Sequence, residues 1–261
     1  LRAACLLPQF CAMAAVFCGA FAFLRELLGR AGKAALAFWL FFMGSGFGFF
    51  YFLGSRETFA RIFTAFYETP TNDTEQNIVW VNPVVDLLVP QRATLFGWAV
   101  LMPCLFLLAR LFLRRERAGL PPLALLAGSL PLIHTHSFLA LAVLSAALFV
   151  SVLCRREKRP AAGLWLIYGL SAAALSLPQI LCFTLGASGA QHFLRLSFNW
   201  VNAGRDPYFW FYLKNIGVVY QLTPFAFFRA RPDLRRFYAG GLALLALCEF
   251  IVFQPNAYDN N

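Results

Sequence analysis

Eight apolar stretches recur along the chain, and this repetition limits the fold more than any other feature of the sequence. They cover residues 4–24, 34–54, 93–113, 120–133, 138–153, 161–185, 208–228 and 237–253. A helix needs about 20 apolar residues to cross the ~30 Å hydrocarbon layer of a membrane. Because 60% of the 261 residues are hydrophobic and only 13% are charged, a soluble domain of this composition would expose large apolar patches. The sequence predicts an all-α, polytopic transmembrane helical bundle with about eight spans.

The connections between the apolar stretches alternate between two kinds. Short, basic connections cover 25–33, 114–117, 155–159 and 229–236, whereas 55–92, 134–137, 186–207 and 254–261 are longer or nearly neutral. With the basic set inside, and Arg110 at the inner end of its helix, that side carries 15 Lys and Arg against 4 Asp and Glu, and the outside carries the remaining 7 and 8 of the totals of 22 and 12. Cytoplasmic loops carry such an excess of Lys and Arg. The net charge of +10 therefore indicates topology and not a nucleic-acid partner.

We expect the whole chain, residues 1–261, to form a single integral membrane domain, since it contains no internal repeat and no low-complexity linker. It begins at Leu1 without a methionine and stops at Asn261 inside a polar segment, so we expect a piece of a longer protein. The seven cysteines form no CxxC pair and are interpreted as small buried side chains. The glycine-rich run 44–48 follows no strand, so we interpret it as close helix packing and not as nucleotide binding.

The outer loop 55–92 is long for a connection, and long loops are usually functional or disordered. Within residues 56–68, bulky apolar side chains recur at spacings of three and four residues, as on one helical face. These side chains are Phe59, Ile62, Phe63, Phe66 and Tyr67. The pattern predicts a juxtamembrane amphipathic helix in the membrane interface, and a simple anchor remains the alternative to a functional element. Arg92 then begins the next apolar stretch at the outer surface.

His134 and His136 lie at the tip of a hairpin whose first arm, 120–133, spans ~21 Å as a helix. That length is short of a full crossing, so the tip is expected in a cavity below the outer surface. Polar groups at such depth are usually functional or paired. Three interpretations stay open: a structural pair, a hydrogen-bonding or phosphate-contacting role, and a zinc site, which the lack of a third ligand makes the weakest.

Two charges lie inside apolar stretches near their outer ends, Lys214 and Glu249. One interpretation is a structural ion pair between them. The other is that Lys214, with Asn215, faces a cavity and binds an anion such as a lipid phosphate. Segment 186–207 mixes aromatic and amide side chains, Asn199 among them, a mixture found in carbohydrate sites and in membrane-interface loops alike.

Five strings of the sequence resemble those of a group of bacterial membrane glycosyltransferases, the GT-C type. They are VPQRATLFGW at 89–98, PLIHTHSF at 131–138, FNWVN at 198–202, WFYLKN at 210–215 and FQPNAYDNN at 253–261. The resemblance implies a sugar donor linked to polyprenyl phosphate and transfer on the external face of the bacterial cytoplasmic membrane. It also implies juxtamembrane helices and a catalytic carboxylate in the first external loop, which we expect upstream of Leu1.

On this hypothesis the acceptor is a glycan, a lipid or a protein, no cofactor is required with certainty, and a divalent cation is left open. The weak candidates for the general base are Asp73, Glu75 and Asp86. The candidates for binding the substrate, four of them through its phosphate, are Arg92, His134, His136 and Lys214, with Asn199, Asn215, Asn256 and Tyr258. The alternative function is a transporter or flippase for a lipid-linked sugar or another anionic solute, which should show inverted repeats.

Overall fold

Helices account for most of this computed structural model, which describes residues 2–44, 46–53, 60, 63–64, 70–79, 81–157, 159–184 and 194–253. The α-helices are α1 (Arg2–Leu28), α2 (Ala31–Phe42), α3 (Arg92–Arg114), α4 (Leu120–Ile133), α5 (Thr135–Leu153), α6 (Ala162–Gln179), α7 (Tyr208–Ile216), α8 (Val218–Arg229) and α9 (Pro232–Phe250). Short 3-10 or π-helical segments cover Phe47–Phe52, Pro83–Leu88, Arg159–Ala161 and Ile180–Thr184. Strands β1 (Leu194–Leu196) and β2 (Ile251–Phe253) pair antiparallel. The described part is all-α apart from this small sheet.

Four of the described helical segments are long and apolar enough to cross a membrane. They are Leu6–Leu28, Arg92–Arg114, Thr135–Leu153 and Arg159–Phe183. Ala31–Phe42 and Leu120–Ile133 are apolar but shorter, and the second of these coincides with its predicted stretch. The total of eight spans stays a prediction.

The second apolar stretch, 34–54, is not one continuous helix. α2 ends at Phe42, and a 3-10 helix follows at Phe47–Phe52. A Cβ atom on Gly46 would lie 1.9 Å from the carbonyl oxygen of Lys214, so the backbone can pass there only without a side chain. The glycine-rich run thus serves close packing, as the sequence indicated, but it packs against the end of another helix and interrupts its own.

Glycine also divides the stretch 208–228. Gly217 separates α7 from α8 with φ 78° and ψ −162°, a conformation that is nearly restricted to glycine. A similar use of glycine ends α1, where Gly29 has a φ of 72° and its N–H donates to the carbonyl oxygen of Arg25 at 2.9 Å. Hydropathy alone does not distinguish such a break from a continuous span.

The described residues form two compact units. Unit 1 comprises Leu1–Ala34, Ala93–Phe198 and Arg231–Asn261, and unit 2 comprises Ala35–Arg92 and Asn199–Ala230. In unit 1, α4 packs on α6 and α5 packs on α9. A Cβ atom on Gly128 or Gly240 would approach Leu175 to 2.6 Å or Leu144 to 2.8 Å, so small residues allow both helix pairs to pack closely.

The four basic connections are linked to one another within unit 1. The links are Arg114 to Glu26 at 2.6 Å, Arg115 to the carbonyl oxygen of Glu157 at 3.1 Å, and Arg155 to Asp233 at 3.1 Å. These contacts join all four segments that the charge pattern assigns to one side of a membrane. The side on which they lie stays a prediction.

Unit 2 combines α7 and α8 with a tight turn at residues 70–79. Asp73 and Ile78 close the turn through two backbone hydrogen bonds, of 2.9 and 2.8 Å. Across the break at Gly217, the ring of Tyr212 stacks on that of Tyr220 with a centroid distance of 4.0 Å. Most of the predicted amphipathic helix, 56–68, lies outside the described residues.

Candidate functional site

Lys214 lies on the buried face of α7 and is 2% exposed. Its Nζ donates to Oδ2 of Asp206 and to the carbonyl oxygen of Gln76, both at 2.5 Å, and lies 5.8 Å from the ring centroid of Tyr51. A buried ammonium is stable only when it is paired, and these partners meet that need. The ion pair proposed for Lys214 thus exists, but its partner is Asp206 and not Glu249.

Asp206 is the acceptor at the centre of this cluster. Its Oδ2 also receives a hydrogen bond from Nδ2 of Asn77 at 2.7 Å, and its backbone N–H donates to Oδ1 of Asn202 at 3.1 Å. Partial burial raises the pKa of the carboxyl, but the hydrogen bonds from Lys214 and Asn77 and the nearby positive charges outweigh this and hold the pKa below its usual value. Asp206 is therefore a permanent carboxylate at neutral pH.

Four consecutive carbonyl oxygens of the turn, those of residues 74–77, accept hydrogen bonds from side chains of segment 205–215. Arg205 donates to the first two at 2.7 Å each, Lys214 to the third at 2.5 Å, and Nδ2 of Asn215 to the fourth at 3.1 Å. The N–H of Val79 returns a bond of 2.8 Å to Oδ1 of Asn215. The charge pattern assigned loop 55–92 and segment 186–207 to the outer side, with Lys214 at the outer end of the next apolar stretch, and these residues lie together in unit 2.

A second polar cluster surrounds Asp86. Its Oδ1 accepts from Oγ1 of Thr71 at 3.0 Å, and its Oδ2 accepts from the N–H of Asn82 at 2.8 Å. Burial raises the pKa of Asp86, and these two hydrogen bonds oppose the rise only in part. The side chain of Asn82 caps Pro83–Leu88 by accepting from two backbone N–H groups and donates to the carbonyl oxygen of Phe42 at 3.2 Å. This cluster fixes the loop that precedes α3.

The three predicted carboxylates differ in access. Asp86 is 4% exposed with both oxygens bonded, and Oδ1 of Asp73 accepts from the N–H of Gln76 at 3.4 Å within the turn. Glu75 is exposed, and its own carbonyl oxygen is one of the two that Arg205 binds. Of the three, Glu75 therefore combines a fixed backbone with an accessible carboxylate.

Two residues of unit 2 that were predicted to bind the substrate, Asn199 and Arg92, offer polar groups to a ligand. Asn199 has a left-handed backbone with a φ of 54°, and its buried Oδ1 has no hydrogen-bond partner among the described residues. A buried acceptor without a donor is costly, so a hydroxyl or amide of a ligand would be stabilised there. Arg92, the first residue of α3, is exposed to solvent. Asn256 and Tyr258 lie outside the described residues.

The histidine pair lies in unit 1, in the connection between α4 and α5. Nδ1 of His134 is 2.8 Å from Oγ of Ser137, and the rings of His134 and His136 have centroids 5.5 Å apart. A Cβ atom on Gly97 would lie 2.4 Å from that of His134, so α3 approaches this tip closely. Burial, helped by the neighbouring His136, lowers the pKa of His134 to about 4. His134 is neutral at pH 7 and can act there as a hydrogen-bonding group, not as a cation.

Among the described residues, no group of three or more His, Cys, Asp and Glu side chains is placed to hold a metal ion. No family model, no curated protein and no solved structure matches this chain. Sequence reasoning placed Asn202 and Asp206 in the polar segment 186–207 without linking them to Lys214, and it missed Asn77. All three are polar residues in loops, and only the fold shows that Asp206 binds the buried lysine and that Asn77 and Asn202 bind Asp206.

Proposed function

We propose that this protein is a membrane glycosyltransferase that moves a sugar from a polyprenyl-phosphate carrier to an acceptor on the external face of a bacterial cytoplasmic membrane. The observation that carries the proposal is the fixed turn 70–79. Three side chains bind four of its consecutive carbonyl oxygens, and the turn presents Glu75 to solvent. The sequence resemblance to GT-C transferases supplies the donor class.

Sugar transfer needs a base near the acceptor and donors near the leaving phosphate. In the proposed reaction Glu75 takes the role of the carboxylate that the resemblance led us to expect upstream of Leu1. It accepts the proton of the acceptor hydroxyl as the hydroxyl oxygen bonds to C1 of the sugar. The bond between C1 and the phosphate oxygen breaks, and polyprenyl phosphate leaves with the electron pair. A base must be positioned as well as accessible, since catalytic geometry tolerates little displacement. Binding of the turn backbone by Arg205 and Lys214 meets this requirement.

The proposal changes the role of two residues that were expected to bind substrate. Lys214 and Asn215 are buried and fully engaged in holding the turn, so we assign them to positioning. Arg92, which is exposed, keeps the proposed phosphate contact, and Asn199 keeps a proposed contact to a sugar hydroxyl. The phosphate contacts of His134 and His136 stay predictions for unit 1.

The test is sugar transfer by membranes that contain the full-length protein. The donors are polyprenyl-phosphate-linked hexoses and pentoses, radiolabelled in the sugar, and the label that leaves the donor fraction is counted. We expect Glu75→Gln to lower the rate roughly 100-fold or more, because removal of a general base costs about 10²–10⁴-fold.

The matched control is Glu157→Gln, the same substitution at a carboxylate whose side chain is 65% exposed and which lies in a basic connection. It should transfer sugar at the wild-type rate. Equal rates for Glu75→Gln and Glu157→Gln at equal expression would exclude Glu75 as the base. If the wild-type protein transfers no label but moves the donor between leaflets of a vesicle, the transporter alternative is correct.

A further inference from the structure

A cavity of about 530 Å³ opens in unit 1 where the basic connections are linked. Its charged lining consists of Glu26, Arg114, Arg155, Arg231, Asp233 and Arg236. Leu113 and Leu234 add apolar walls. None of these residues takes part in the proposed sugar transfer, so the cavity needs a separate explanation.

The charges that line the cavity do not balance. Glu26 is bound by Arg114 at 2.6 Å, and Asp233 is shared by Arg155 at 3.1 Å and Arg236 at 3.2 Å. Arg231 makes no ion pair with any carboxylate in the part of the chain that the structure describes. Four guanidinium groups therefore face two carboxylates in the lining, and Glu157, beside the lining, also pairs with Arg155. This leaves an excess of one positive charge at the cavity.

The backbone adds to this positive character. α9 begins at Pro232, and its first three residues, Pro232, Asp233 and Leu234, all line the cavity. The residue before them, Arg231, makes no side-chain hydrogen bond to cap the helix. The amino end of a helix of 19 residues carries a partial positive charge. Two independent sources of positive potential thus converge on one cavity.

The chemistry and size of the cavity select a class of ligand. Guanidinium groups bind phosphate oxygens through paired N–H donors, and four of them line this cavity. At roughly 30 Å³ per water molecule, 530 Å³ holds far more than a single phosphate ion. The leucine walls would contact the glycerol and upper acyl region of a lipid. Anionic phospholipids of the cytoplasmic leaflet supply such a headgroup where basic segments lie.

We propose that this cavity is a binding site for the phosphate headgroup of an anionic phospholipid. The lipid phosphate occupies the space among Arg231, Arg236 and Arg155, with its glycerol against Leu113 and Leu234. The site is independent of the proposed sugar transfer and needs only the arrangement of the basic connections in unit 1.

The experiment measures lipid retention by the full-length protein. The protein is placed in nanodiscs of phosphatidylcholine that contain a minor fraction of phosphatidylglycerol, and bound lipids are counted by native mass spectrometry over a titration of phosphatidylglycerol. We expect the wild type to retain one phosphatidylglycerol in preference to phosphatidylcholine. Each lining arginine should contribute about fivefold to the affinity for phosphatidylglycerol, so the double variant Arg231→Gln/Arg236→Gln should bind this lipid roughly 25-fold more weakly.

The matched control is Arg117→Gln/Arg156→Gln, which removes two exposed arginines of the basic connections 114–117 and 155–159 that do not line the cavity. It should retain the wild-type affinity. Equal loss in both double variants, or equal retention of the two lipids by the wild type, would overturn the proposal. A third arm adds inorganic phosphate to the nanodiscs that contain phosphatidylglycerol. Displacement of the lipid by millimolar phosphate would assign the cavity to a free ion and overturn the lipid assignment.

Discussion

The polar cluster of unit 2 and the basic cavity of unit 1 both bring cations and carboxylates together, but they differ in burial and in balance. Lys214 is 2% exposed and lies between Asp206 and a backbone carbonyl oxygen, so the carboxylate of Asp206 neutralises its charge within the fold. In the cavity the side chains of Arg114 and Asp233 are 58% and 55% exposed, and arginines outnumber carboxylates. The first arrangement is complete without a ligand, whereas the second is not.

This difference separates structural charges from binding charges. A buried ion pair must be satisfied within the fold, because the desolvation of an unpaired charge costs several kcal/mol. An exposed and unbalanced cluster is tolerated by solvent and gains when an anion arrives. The buried Lys214 therefore holds the turn 70–79, and the arginines of the cavity are the ones for which we propose a ligand.

The largest expected effect concerns the complete cluster. Lys214→Met should lower the free energy of unfolding by about 3 kcal/mol, because the Asp206 carboxylate loses its paired cation and the Gln76 carbonyl oxygen loses its donor. The measurement is denaturant unfolding of the purified protein in detergent. Asp206→Asn should cost a similar amount, since it leaves a buried ammonium unpaired.

Lys33→Met is the matched control, since Lys33 is exposed at the start of α2. It should change the unfolding free energy by no more than about 0.5 kcal/mol. The double variant Lys214→Met/Asp206→Asn should cost less than the sum of its single changes, because the two side chains interact directly. Additive costs would mean that the ion pair does not stabilise unit 2.

A second prediction uses pH to distinguish the contribution of His134 in unit 1 to stability from that of Asp206 in unit 2. Burial and His136 lower the pKa of His134 from its usual 6.5 to about 4, so protonation favours the unfolded chain. The stability that depends on neutral His134 is complete above pH 6.5 and is lost as the pH falls towards 4, by about 1–2 kcal/mol after solvent screening. Asp206, whose pKa is lowered from 3.8, loses its contribution only below that value. Unfolding free energies measured from pH 7.5 down to about pH 2 should fall first through the loss from His134 and only then through the loss from Asp206.

His134→Asn is the control for the pH series. It removes the titrating ring while keeping a polar side chain beside Ser137. Its unfolding free energy should vary less between pH 6.5 and 4 than that of the wild type. An identical pH profile for both proteins would show that another group controls the acid response.

The sequence pattern predicts the regular helices. It does not predict where the helices are interrupted or which side chains pair with each other. The stretch 120–133 and the helix Leu120–Ile133 coincide because an apolar run bounded by Gly119 and His134 defines its own ends. The break at Gly217 depends on a backbone conformation that glycine adopts, and the break after Phe42 lies where Gly46 passes the carbonyl oxygen of Lys214. Hydropathy does not encode such contacts.

The same limit applies to the candidate site. Lys214 stood out because a charge in an apolar stretch is unusual. Its partner Asp206 lies eight residues earlier in a loop with other polar residues, and no spacing rule selects it over Glu249. Glu75 and Arg92 were predicted by type and position, and their access to solvent became visible only in the fold.

The smallest expected effect is also the sharpest test of whether the cavity arginines differ from the buried Lys214. Arg231→Gln should change the unfolding free energy in neutral detergent by less than about 0.5 kcal/mol, because it breaks no ion pair among the described residues and lowers the repulsion between guanidinium groups. Added phosphatidylglycerol should then raise the melting temperature of the wild type more than that of the variant, since a ligand stabilises the folded state in proportion to its affinity. A large loss in detergent alone would place Arg231 with Lys214 as a structural charge. The cavity would then belong to the same class as the buried cluster.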